Sequence, residues 1–171
     1  MPQSESRDAT SQSDDFAGFL NEFDAESDRA AAVLAAAFLD EHLKSLIEGF
    51  FVDDPKEAGR LLGVNRPLGG LSSRIHAAFC MGLLSRDEHH DLLIIRDIRN
   101  RFAHRLHGLT FEDEWVQQKC DALRLPDTAP EWPIHKGARN RFAVASALLT
   151  VNLVGRAAQF QHERRVVPSS L

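Results

Sequence analysis

The chain has 171 residues, 43% hydrophobic and 26% charged, which suits one globular domain able to bury a core without disulfides or a structural metal. Collagen-like, low-complexity and disulfide-scaffold classes are excluded, no uninterrupted apolar run approaches the roughly 18–20 residues of a membrane span, and the polar, acidic start MPQSESRDATSQSDD does not read as a signal peptide. The formal charge is -5, but residues 1–28 carry eight acids and one base (-7) and the other 143 residues carry 19 bases and 17 acids (+2), so charge neither demands nor forbids an anionic partner such as nucleic acid.

Residues 1–13 read as a disordered acidic leader. Residues 14–163 read as one domain and 164–171 as a mobile tail. From Asp14, Phe16, Phe19, Leu20 and Phe23 stand at the spacing of a short helix. Asp24 to Val52 reads as a long helix, stopped by Asp53–Asp54–Pro55. Proline is tolerated in a first helical turn, so Lys56 to Leu62 follows as a short helix. Asn65 to Gly70 is a turn by composition. Leu71 to Leu84 is a helix with Leu71, Ile75, Ala78, Phe79 and Leu83 inward.

Ser85–Arg86–Asp87–Glu88 matches a capping box and opens a helix to about Leu106, with Gly108 its natural end. Thr110–Phe111–Glu112–Asp113 can cap another helix to about Leu123. Three prolines make Leu125 to Pro133 a loop, and Trp115 and Trp132 read as packing it down. Lys136 to about His162 is a last long helix. The pattern is all-α: a helical bundle of about six or seven helices.

The strongest local feature is the run from Arg96 to His107, which holds Arg96, Arg99, Arg101, Arg105, His104 and His107 at the end of a predicted helix. Asn100 and His104 are four apart and share a face. Arg99 and His104 are five apart, about 140° around an ideal helix, and converge only if the helix frays or ends near His104. Such a group could act on RNA without metal. His104 would move the proton of a 2′-hydroxyl or leaving oxygen, Arg99 would stabilise phosphate charge, and Asn100 would orient either. The plainer reading is a solvated helix end, where cations meet the negative end of the dipole for about 0.3–1 kcal/mol. Arg139–Asn140–Arg141–Phe142–Ala143 repeats Arg99–Asn100–Arg101–Phe102–Ala103, but the flanks differ and the repeat reads as coincidence.

No metal or cofactor is expected. His89–His90–Asp91 and His104-x-x-His107 lack the four closely spaced ligands of structural zinc. Cys80 and Cys120 read as free thiols in a reducing cytoplasm, with Cys80 a core residue rather than a nucleophile. Arg156, Arg164 and Arg165 form a small basic end, and no phosphate loop or nucleophile elbow occurs.

Four ordered segments carry a family resemblance. They are Pro67 to Ile75, Gly82 to Ser85 with Glu88, Leu92 to His104, and Leu109 to Asp113. Together they resemble the mannitol operon repressor family, over about Asp28 to Phe160. The resemblance implies a small all-α cytoplasmic protein with a role in transcriptional control. It supplies no DNA-reading helix, so a regulatory protein partner is expected rather than base contacts. Arg99, Asn100 and His104 also resemble the HEPN signature, an Arg followed by a polar residue and a His after four intervening positions. That likeness implies a homodimer with the motif at its interface, and an RNA-cleaving or RNA-binding alternative. Under it Arg99, Asn100 and His104 are the catalytic candidates. Arg96, Arg101, Arg105 and His107 are the candidates for contact with nucleic acid or a protein partner.

Overall fold

The computed structural model describes residues 26–105, 107–129, 137–161 and 165–169. The predicted leader, the helix from Asp14, and Trp132 lie outside them. Among the described residues are six α-helices and no sheet, so the all-α reading holds. They are α1 (Asp28–Phe50), α2 (Pro55–Leu62), α3 (Leu71–Cys80), α4 (Arg86–His104), α5 (Glu114–Asp121) and α6 (Ala138–Gln161), with a 3-10 turn at Leu125–Thr128.

Caps set most boundaries. The Ser27 hydroxyl accepts from the Ala30 N–H, so α1 begins at Asp28 rather than Asp24. Asp54 accepts from the Lys56 and Glu57 N–H groups ahead of α2, with Pro55 in the first turn. The predicted capping box of α4 is present in both directions: Ser85 Oγ takes the Glu88 N–H, and Glu88 Oε2 takes the Ser85 N–H at 2.7 Å. Helix α3 is four residues shorter than its apolar pattern. Gly82 sits at φ 75°, with Leu83 N–H bonding to Ala78 C=O and Gly82 N–H to Phe79 C=O, which is a Schellman stop. Leu83 and Leu84 are buried all the same, from the loop.

Helix α1 lies mainly against α6, then α4 and α3. Its Ala31, Ala32, Ala35 and Ala36 are buried, and these small side chains give way to Leu39, Leu43, Leu46 and Ile47 further along. By length and composition Ala138–Phe160 would pass for a membrane span, but half of the window is buried within the fold, as in a central core helix. The Pro-rich stretch begins as the 3-10 turn because Asp91, with 0% exposure, accepts the N–H groups of Arg124 and Leu125. That occupies a carboxylate which the sequence had set beside His89 and His90. Arg165 forms an isolated parallel bridge with Val52, and its guanidinium stands 4.6 Å from the Phe50 ring centre.

Candidate interaction surface at the end of α4

Helix α4 stays regular to its last residue, His104, and the Arg105 N–H still bonds to the Arg101 carbonyl. The helix therefore keeps Arg99 and His104 about 140° apart, with roughly 7.5 Å of rise between them. The helix does end at His104, as that convergence required, but its regular last turn leaves the two residues on different faces, and no hydrogen bond joins their side chains among the described residues. Arg96, Asn100 and His104 instead follow one ridge at four-residue steps.

Along this end the cations differ in what they hold. Arg96 donates to Asp97 Oδ1 at 2.8 Å and reaches across to Ser72 Oγ of α3 at 3.0 Å. Lys119 of α5 shares the same Asp97 at 3.4 Å. Arg101 lies over Trp115 at 4.3 Å from the ring centre, with Lys119 at 5.5 Å from the same ring. Trp115 thus serves as a platform for Arg101 of α4 and Lys119 of α5. Arg105 reaches Asp113 only at 3.7 Å, and its carbonyl accepts from Arg29 of α1.

Arg99 and Asn100 are half-buried, and His104 and His107 are exposed. Among the described residues, no hydrogen bond or ion pair is made by the side chains of Arg99, Asn100 or His104. Arg101 likewise has no carboxylate partner there, so two guanidinium groups are left to solvent or to an anionic surface.

The repeated string is used differently at its second site. Arg139 meets Asp28 at 2.5 Å and the Glu26 carbonyl at 2.8 Å. Arg141 binds the Cys120 and Leu123 carbonyls and Asp127. The same letters hold the fold together at the start of α6 and stay largely unspent at the end of α4. Sequence reasoning missed Ser72, Arg29 and Trp115 as neighbours of this surface, because each comes from another helix and carries no local signal.

Nucleophilic chemistry finds no support in the thiols. Burial, with help from Asp121 and against Arg141, pushes the Cys120 thiol up to about 12, so it stays protonated. Cys80 is exposed rather than in the core, contrary to the sequence reading, and both thiols are free.

No curated protein matches this chain. Among solved structures, a chain of the MtlR–HPr complex from Escherichia coli has a TM-score of 0.60 at 21% identity, covering 85% of this chain and 98% of that one. The possible transcriptional regulator YggD from Shigella flexneri 2a str. 2457T has a TM-score of 0.59 at 16% identity, covering 85% and 96%. At such identities these two establish the shared fold. A family model described as MtlR, mannitol repressor, matches residues 18–171. The chain belongs to the mannitol repressor family.

Proposed function

We propose that this chain is a non-enzymatic regulator which docks a protein partner on the basic end of α4, with Arg99 and Arg101 meeting an acidic surface. The observation that carries this is the pair of guanidinium groups without a carboxylate, flanked by Arg96, Arg105, His104 and His107. Family membership and the complex of a similarly folded chain with HPr also support a protein partner, and HPr is the first to test. In this reading the protein is cytoplasmic and homodimeric. The two free thiols suit that compartment. Transcription is affected through the partner, with no direct reading of base edges. No observation favours the ribonuclease reading over this one.

The test is calorimetric titration of the chain with purified HPr at two salt concentrations. Binding should saturate, weaken with salt, and fall about tenfold or more, roughly 1.4 kcal/mol, in Arg99→Glu or Arg101→Glu. Absence of binding, or reversals without effect, would overturn the reading. In parallel gel shifts, sequence-specific duplex binding that vanishes in Arg99→Glu would replace the protein partner with DNA.

A further inference from the structure

We propose that His76 and His89 form an open two-imidazole site for a zinc-class divalent cation, bridging α3 and α4. His76 Nδ1 and His89 Nε2 lie 3.4 Å apart, and their rings are tilted by 60°. Two nitrogens bound at 2.0–2.1 Å to a tetrahedral zinc ion stand about 3.3–3.4 Å apart. The spacing therefore matches that of two ligands of one ion, which would replace the hydrogen bond the two rings now make with each other.

Both donors are held on rigid elements. His76 is an exposed residue of α3, and His89 lies in the first half of α4. The His89 ring is stacked on Phe79 at 4.2 Å and 21°, which limits its swing. Its basicity is lowered by burial, and further by His76, His90 and Arg96. The neighbouring His90 faces elsewhere, with Nδ1 at 3.0 Å from buried Asp91.

Among the described residues no third His, Cys, Asp or Glu is gathered at this point. The remaining coordination positions therefore belong to water, and the ion is labile rather than structural. The two histidines are thirteen positions apart, so the metal-ligand patterns weighed in the sequence could not pair them. What joins them is the Gly82 stop, which folds α3 back beside α4.

The experiment is zinc titration of the full chelator-stripped chain by calorimetry and thermal melting. We expect one ion per chain and a melting midpoint that rises with zinc and saturates. His76→Ala and His89→Ala should each abolish both effects, while Cys80→Ser keeps them. If His89→Ala does not fold, exposed His76→Ala alone decides. No binding by the wild type, binding retained in both histidine variants, or binding lost only in Cys80→Ser would overturn the proposal.

Discussion

Phe102 and Phe142 pack against one ring, that of Phe111, at centroid distances of 5.3 and 5.2 Å. All three are within 1% of full burial. The two copies of the Arg-Asn-Arg-Phe-Ala string thus meet through their phenylalanines at the centre of the bundle. Phe111 is itself tethered, since its N–H bonds to Asp28, which also holds Arg139. Phe111→Ala should remove about 3–5 kcal/mol of unfolding free energy, the range for a deleted core ring. Urea unfolding measures it. A loss under about 1 kcal/mol would mean that the bundle collapses readily around the gap and that the rings do not form its centre.

The arginines of the same two strings should separate in their effects. Arg141 satisfies two backbone carbonyls besides Asp127, so Arg141→Ala should cost about 1–3 kcal/mol through unpaired carbonyls. Arg99→Ala removes no bond of this kind and should stay within about 0.5 kcal/mol. Melting curves of the two variants, measured side by side, decide. Equal losses would show that Arg99 is spent on the fold, which would remove it from any partner surface.

An ion pair between buried Glu88 and half-buried Arg156 joins the start of α4 to α6. Arg156 donates to both Glu88 carboxylate oxygens at 3.1 Å and to the Leu83 carbonyl at 2.7 Å. Burial pushes the Glu88 carboxyl up, but the bonds from Arg156 and Ser85 outweigh it and hold the net value below the usual range. A carboxyl lowered on folding adds stability above its unfolded pKa and loses it as pH falls through the folded one. Arg156→Met strands a nearly buried carboxylate and should cost about 3–5 kcal/mol at pH 7. The difference from wild type should shrink as pH falls, starting above the usual carboxylate range, because without Arg156 burial raises the Glu88 carboxyl and it protonates first in the variant. A constant difference across that range would place the loss in packing of the Arg156 stem instead.

Local chemistry made much of this fold readable. The Ser85–Glu88 box and the Asp54–Pro55 start each depend on neighbours within a few residues, and each falls where the sequence puts it, whereas α4 stops at His104 with an extended Arg105 as its cap, short of the Leu106 end and Gly108 stop that the sequence suggested. Gly82 was equally visible, yet Leu83 and Leu84 continued the apolar pattern and masked it. Their burial from a loop is a tertiary event. The candidate surface was legible only as a cluster of letters. Whether an arginine there is occupied depends on Asp97 of α4 itself and on Ser72, Trp115 and Asp113, brought in by packing of α3 and of α5 with its N-cap. The two string copies make the point, since the arginines Arg139 and Arg141 at the head of α6 hold carboxylate and carbonyl oxygens, and Arg99 and Arg101 at the tail of α4 hold none among the described residues.

Acid sensitivity should involve His42. Burial lowers its pKa, partly opposed by Glu41, and its ring meets Phe38 edge-on at 4.5 Å. Its Nε2 is buried with no hydrogen-bond partner among the described residues. A histidine lowered on folding favours the native state above its unfolded pKa near 6.5. That contribution is lost progressively as pH falls through the folded value, because the unfolded chain then binds the extra proton. The melting midpoint should therefore fall between pH 7.5 and 5, and His42→Phe should flatten the slope. An unchanged slope in the variant would assign the acid response to His89 or to the carboxylates.

Finally, RNA should remain intact. Proton transfer to or from a phosphodiester needs the imidazole within about 2.6–3.2 Å of the reacting oxygen, with the guanidinium on the same phosphate. Continuous α-helix through His104 points Arg99 to a different side of the same cylinder. A homodimer could still pair Arg99 of one copy with His104 of the other, so the assay must be run at concentrations where any dimer is populated. Total RNA incubated with the chain in chelator should give the same pattern for wild type and His104→Ala. Metal-free cleavage by the wild type that disappears in His104→Ala would reinstate an enzyme and displace the docking role from this end of α4.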